Sequence, residues 1–258
     1  MKTVSYTPSH DIVLDISRTT YGCSNCAVRH VAVCGALDGR EVEKLNRIGH
    51  HRHFRAGQII LAEGTHAEYV AAIVSGVVKL TKTLADGRQH IVGLLYANDF
   101  LGRVYRSEHP YFAEAATDVK LCCFPRVAFE KLLGEQPQLK DWLFHLVLND
   151  LDVCQEWMLL LGRKCAQERV ASFLLMIARR VPNYSVHVSR KQPVCFELPL
   201  ARADIADCLG LTIETVSRQI TRLKSSNVIE LVSNREVVVP HIGRLENVAN
   251  GKPQTSLT

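Results

Sequence analysis

The stretch Arg202-Ala-Asp-Ile-Ala-Asp-Cys-Leu-Gly-Leu-Thr-Ile-Glu-Thr-Val-Ser-Arg218 decides how the chain is read. Ala206 is small where two helices must approach, and Gly210 supplies a turn at low conformational cost. Val216 plugs the core between the helices, while Ile205, Leu209 and Leu211 fill the same seam. Thr212 is a good N-cap for the second helix. The pattern is a helix-turn-helix. It leaves Glu214, Ser217 and Arg218 on the outer face of the second helix's first turns, where recognition helices meet base edges. Arginine donates bidentately to guanine, glutamate accepts from cytosine N4, and serine serves either way. Thr215, Arg222 and Lys224 are placed for phosphates, which set register rather than sequence. With Thr212 at the cap these form the expected DNA-facing set. Taken singly, Glu214 is also a first-turn acid favoured by the helix dipole, and Arg218 a solvated charge. The spacing and a hairpin wing that follows (Val228 to Leu231, a turn at Ser233-Asn234, Val237 to Val239) favour DNA reading.

Working outward, residues 182–199 read as a linker plus a strand. Before them a helical stretch runs from about Gln136 to Arg180. In it Phe144, Val147, Leu151, Cys154, Met158, Leu161 and Cys165 recur at alternating spacings of three and four. That is a seam for a partner helix, or else a face packed on the chain's own core. Gly162 is the expected weak point, where two domains hinge. From His53 to about Phe124, glycines punctuate short β-branched runs such as VAAIV and HIVGLL, and Asp86-Gly87 marks a hairpin turn. A barrel or jelly-roll-like sheet is expected. The HHRH run (His50, His51, His53) reads as a solvated loop rather than a haem ligand set. A helix over GREVEKLNRIG buries Val42, Leu45 and Ile48.

At the other end Cys23, Cys26 and Cys34 stand at x2 and x7 spacing within an arm, residues 1–37. The chain has 258 residues, nine cysteines and a formal net charge of +5. The charge tilts mildly towards an anionic partner. The first twenty residues lack the apolar core of a signal peptide, and no run reaches membrane-span length. A reducing cytoplasm is therefore expected, where clustered cysteines point to metal or redox chemistry. No nucleotide-binding glycine fingerprint, G-x-S-x-G elbow or H-E-x-x-H is present, so no enzyme is expected. Clustered thiolates hold either zinc or an iron–sulfur cluster, and spacing alone does not choose.

Four parts together resemble the CRP/FNR superfamily of transcription regulators over all but the two tails. They are AGQIILAEGTHAEYVAAIVSGVVKL (56–80), EWMLLLGRKCAQERVASFLL (156–175), LGLTIETVSRQITRLK (209–224) and the cysteine set. Glu214, Ser217 and Arg218 resemble the reader of its iron–sulfur FNR-type branch, which implies half-sites of the TTGAT type. The x7 spacing before Cys34 departs from enterobacterial members and looks like the FnrL/FnrN variant. The resemblance implies an α+β fold. Its parts are an N-terminal β-roll of cyclic-nucleotide-binding type (38–135), a long dimerisation helix and hinge (136–180), a C-terminal winged helix-turn-helix (181–247) and a tail (248–258).

It also implies a fourth cysteine ligand ending the sensor barrel. Cys122, three residues before Pro125, is the match, and Cys123 the runner-up, since strand neighbours face opposite ways. The implied cofactor is a [4Fe–4S] cluster on Cys23, Cys26, Cys34 and Cys122. The implied partners are palindromic DNA, a second copy through Phe144, Val147, Leu151, Cys154 and Met158, and RNA polymerase, with the loop around Asp86-Gly87-Arg88 as a contact. In place of the Arg-rich run that grips a cyclic nucleotide the chain has Tyr111-Phe112-Ala113, so no cyclic nucleotide is expected. On the dimer seam Cys154 stands where enterobacterial members carry an acid. That leaves the charge opposing association to Asp150, Asp152 and Glu156 nearby. The alternative is a zinc-stabilised or cluster-free regulator of the same family without oxygen sensing.

Overall fold

The computed structural model describes residues 26, 28, 32–181, 184, 187 and 191–252. Cys23 and most of the 1–37 arm lie outside the described residues, as does the end of the tail. A short 3-10 turn, Val33–Ala36, leads into α1 (Gly39–Ile48). Asp38 caps α1 through a full capping box with Glu41, and the helix buries Val42 and Leu45 as its spacing demands.

Two antiparallel sheets then stack into a β-roll. The strands are β1 (His50–Phe54), β2 (Ile59–Leu61), β3 (Tyr69–Ser75), β4 (Val78–Thr83), β5 (Gln89–Leu95), β6 (Phe100–Leu101), β7 (Phe112–Ala115) and β8 (Val119–Pro125). One sheet runs β1-β8-β3-β6, the other β2-β7-β4-β5. Between them lie Ile73, Val78, Leu101, Ala113, Leu121 and Cys123. Tyr111 is buried in the same core, where a bulky ring fills barrel space. The Asp86-Gly87 turn joins β4 to β5 as expected, with Leu84 N–H donating to the Arg88 carbonyl at 2.8 Å. The histidine run is a correction. It forms β1, paired antiparallel to β8 with His51 opposite Cys122, rather than a loop. Alternation does not announce this strand, because both of its faces carry polar side chains.

Helix α2 (Arg126–Glu135) crosses the outer face of β8, and α3 (Pro137–Arg163) follows with Pro137 in its first turn. At 27 residues α3 is about 40 Å long. The helical stretch expected from about Gln136 to Arg180, with its weak point at Gly162, is two helices. Lys164 and Cys165 are extended, and α4 (Ala166–Ala178) begins with Glu168 bonding back to the Cys165 N–H at 2.9 Å. The break falls just beyond Gly162, and Cys165 caps α4 instead of extending the seam.

Helix α4 packs with the C-terminal unit: Val170, Phe173, Leu174 and Ile177 share a core with Leu209, Val216, Leu223 and Val239. A boundary at 180/181 therefore cuts one packed core, and the unit begins at Ala166. Its other parts are β9 (Val194–Glu197), α5 (Arg202–Leu209), α6 (Ile213–Ser225), β10 (Glu230–Leu231), β11 (Glu236–Val239) and α7 (Ile242–Ala249). The wing has a third strand, because β9 pairs with β11. Helix α7 buries Leu245, Val248 and Ala249, so the C-terminal unit extends into the expected 248–258 tail.

Candidate DNA-reading surface and cysteine face

Helices α5 and α6 meet at Gly210, which sits at φ +60 in the left-handed region that glycine adopts without strain. The Leu211 N–H reaches back to the Ala206 carbonyl at 3.0 Å, closing the turn. Ile205, Ala206, Leu209, Val216 and Ile220 are buried together. Thr212 caps α6, its hydroxyl accepting from Thr215 N–H at 3.2 Å. This cap orients the helix so that Glu214, Ser217, Arg218 and Arg222 are exposed on one side, with Thr215 half-buried at their edge. The Glu214 carboxyl is held below its ordinary range by its own backbone N–H and by the Thr212 hydroxyl, which keeps it an acceptor. Arg218 reaches the Thr215 hydroxyl at 3.4 Å, a weak tether that leaves its other donors open to solvent. Gln219 is buried on the opposite side with its Oε1 unpaired among the described residues.

The β8 alternation separates the two neighbouring cysteines. Cys123 points between the sheets with no exposure, and burial pushes its thiol up to about 12. It is a poor ligand there, since metals bind the thiolate. Cys122 points to the opposite face, half-buried, against the apolar cluster that includes Val70, Phe124, Phe129, Leu133 and Leu139. Cys26 and Cys34 pack against that same apolar cluster. The 3-10 turn that carries Cys34 also touches α3 directly.

A chain of rings continues from this face. Phe124 lies 5.6 Å from Phe129, Phe129 5.4 Å from Phe100, and Phe100 5.8 Å from Trp142 of α3. Cys26, Cys34 and Cys122 thus share a seat with the first turns of α3. Among the described residues no group of three or more His, Cys, Asp or Glu side chains is gathered closely enough to hold a metal ion. Cys23 lies outside those residues.

Further along α3, Phe144, Val147, Leu151 and Met158 are each more than half exposed, and Cys154 is exposed on the same stripe. Trp157 and Leu160, on another side of the helix, pack against the C-terminal core. The seam is thus an apolar stripe left uncovered among the described residues.

Sequence reasoning missed the residues that join the two halves. Arg169 and Lys79 each bind partners far away in the chain. Their signal is a register between distant segments, which no local pattern carries.

The comparisons agree with this architecture. The family model for the cyclic nucleotide-binding domain matches residues 51–136, and that for the Crp-like helix-turn-helix domain matches 168–248. The chain is 42% identical to the transcriptional activator protein FnrL of Cereibacter sphaeroides, over 90% of this chain and 93% of that protein. It is 44% identical to a probable transcriptional activator of Rhizobium leguminosarum bv. viciae, over 89% and 94%. The solved structure of FixK2 from Bradyrhizobium japonicum superposes with a TM-score of 0.71 at 32% identity, covering 81% of this chain and 100% of that one. On these matches, and on a β-roll, a long helix and a winged helix-turn-helix built in that order, the chain belongs to the CRP/FNR family of transcription regulators.

Proposed function

We propose that the chain is an oxygen-responsive transcription regulator, mainly an activator, of anaerobic and microaerobic genes. It binds FNR-box-like palindromic DNA as a homodimer while Cys23, Cys26, Cys34 and Cys122 hold a [4Fe–4S] cluster. The observation that supports this most is the shared seat: Cys26, Cys34 and Cys122 pack on the apolar cluster that also receives Leu139, Trp142 and Leu143 of α3. The donor set suits the group in chemistry: three half-buried thiols line one apolar cluster, not yet gathered to ligand distance, and the inert Cys123 is turned away. When bound, the cluster supplies an oxygen-labile linkage among these thiolates. With the thiols tied, the arm is fixed against Phe124, Phe129 and Leu133, and the start of α3 is held with it. With the thiols released, that linkage no longer ties the arm to β8.

The exposed α3 stripe then associates more or less readily, and a coupling of about 1–3 kcal/mol changes operator affinity by about five- to 150-fold. Two readers related by a two-fold axis reach half-sites about 34 Å apart. Relatives named as activators support activation here, and the Asp86-Gly87-Arg88 tip, exposed at the end of the β4–β5 hairpin, is the proposed polymerase contact.

The test is Cys122→Ser beside Cys123→Ser, both purified without air. Iron and sulfide should fall to background and operator binding should vanish in Cys122→Ser, while Cys123→Ser keeps both. Wild-type protein that is iron-free, or loaded with zinc, and still binds its operator in air as tightly as without it would replace the oxygen-sensing reading by the cluster-free one. For the reader, Arg218→Ala should relax discrimination by about 1–3 kcal/mol at one base pair per half-site. Affinities across singly substituted operators check this; an unchanged preference at every position removes Arg218 from base reading.

A further inference from the structure

The first reader helix, α5, is tied to the rest of the chain at both ends. At its C-terminal end Arg169 spreads its guanidinium over three carbonyls. Nη1 donates to Leu209 at 3.0 Å, Nη2 to Leu161 at 2.8 Å and Nε to Lys164 at 2.9 Å. Leu161 lies in the last turn of α3, Lys164 is its C-cap, and Leu209 ends α5 just before the Gly210 turn. Those carbonyls are the ones a helix end leaves without partners. A rigid, planar fork that satisfies all of them fixes the angle between the two helices.

At the N-terminal end of α5, Asp204 accepts from the Lys79 ammonium at 2.9 Å. Lys79 sits on β4 of the sensor sheet and also pairs with Glu114 of β7 at 3.0 Å. Its side chain is only 15% exposed. Burial alone would lower its pKa, but the bonds to Asp204 and Glu114 outweigh that and raise it, so the ammonium persists. Between α5 and the sheet lies a cavity of about 340 Å³, lined in part by Lys79, Ile91, Asp204 and Asp207. The sheet and α5 therefore do not pack flush along this side. Apolar contact is made by Ile91 and Leu94 of β5, and the polar ties set the tilt.

We propose that Arg169 and Lys79 are positioning residues for DNA reading: they lock α5, and through Gly210 the reading helix α6, at a fixed angle to the α3 axis and the sensor sheet. Neither residue faces the reading surface. Their effect is on where each reader points, and hence on the distance and rotation between the two readers of a dimer. This rests on the dimeric reading proposed above. One base pair added between half-sites turns one about 34–36° relative to the other. A stiff reader rejects such a site and a loosened one accepts it.

The experiment uses the full-length protein and the palindrome that the wild type selects from randomised duplexes. Affinity is measured for that palindrome and for versions with one base pair inserted or removed at the centre. The readout is the ratio of native to re-spaced affinity, with a single half-site duplex as control. Arg169→Gln and Lys79→Gln should each lower the ratio by about five- to tenfold, at the lower end of usual coupling between sites. Half-site binding and dimer mass should stay as they were. Arg169→Lys keeps the charge but not the fork and should also lower the ratio, which covers the case in which the Gln variant fails to fold. Lys79→Glu combined with Asp204→Lys should restore the ratio that Lys79→Glu alone has lost. Ratios unchanged in the Arg169 and Lys79 variants, with the wild-type preference intact, would overturn the positioning role alone. A wild type indifferent to spacing would overturn both this role and the two-fold reading.

Discussion

Leu151→Asp is expected to leave a folded monomer that no longer grips a palindrome. In a single chain Leu151 is 52% exposed, so the substitution removes little from the chain's own core. Its cost within the fold should stay near the ±0.5 kcal/mol of ordinary surface changes. At a two-fold seam the same residue meets its own copy, and the substitution then brings two carboxylates into a strip otherwise lined by Val147, Cys154 and Met158. An unpaired charge buried at an interface costs about 3–5 kcal/mol, and both copies contribute. A total near 6 kcal/mol raises a dissociation constant by about 10⁴.

Each reader would then bind its half-site alone and lose the effective concentration that the dimer provides. Sedimentation should give one chain's mass and unfolding temperature should barely change. Affinity for the palindrome should fall to that for a single half-site. Val127→Asp makes the control. Val127 is 71% exposed, but it lies on α2, away from the stripe, and its substitution should change neither mass nor binding. If Leu151→Asp keeps the mass and affinity of the wild type, the α3 stripe is not the seam.

Much of the reader was legible because its signals are local. A capping threonine, a glycine at positive φ and apolar residues at helical spacing each act within a turn or two. The structure places Thr212, Gly210 and Val216 in those roles. The β-roll was legible as a class for the same reason, through turn residues between β-branched runs. The failures share one cause. Helix α3 ends at Arg163, although the periodicity runs on, because α4 is claimed by the core built from Leu209, Val216, Leu223 and α7. That core is long-range, and the 3.6-residue pattern of α4 is the same whichever body it packs on.

The β1 histidines were misread because a strand's partner, here β8, is chosen about 70 residues away. Strand alternation could say that Cys122 and Cys123 part ways, but not which one faces inward. That assignment follows from the barrel core, with Val119, Leu121 and Cys123 on one face and Cys122 and Phe124 on the other. The candidate ligand face is therefore readable from sequence only as a pair of choices. Arg169 and Lys79 were not readable as positioning residues at all.

Gly76→Ala should be the most damaging single-methyl change in the sensor domain. Gly76 turns β3 into β4 at φ +90, a region that costs an L-residue about 1–2 kcal/mol. A Cβ there would also stand 2.2 Å from the Asp118 carbonyl oxygen and 2.9 Å from the Val119 Cα. Both obstacles are backbone, and neither is free to retreat. Val77 N–H is bonded to Thr117 Oγ1 at 2.9 Å, and Ala116 N–H to the Val77 carbonyl at 2.8 Å, pinning the two turns together. Val119 is buried in the barrel and begins β8, the strand that carries Cys122 to its face.

Overpacking adds about 1–3 kcal/mol to the dihedral cost, for a total of about 2–5 kcal/mol. Set against a domain stability of about 5–15 kcal/mol, that is enough to depress the sensor's unfolding midpoint by ten degrees or more. Gly210→Ala separates the two contributions. Its φ is +60, but the nearest atom to an added Cβ is Arg169 Nη1 at 3.8 Å, so only the dihedral cost applies and a shift of a few degrees is expected. Thermal unfolding followed in both variants decides the matter. Equal, small shifts would mean that the β3–β4 turn can move off β8, and that the strand presenting Cys122 is less firmly held than its packing implies.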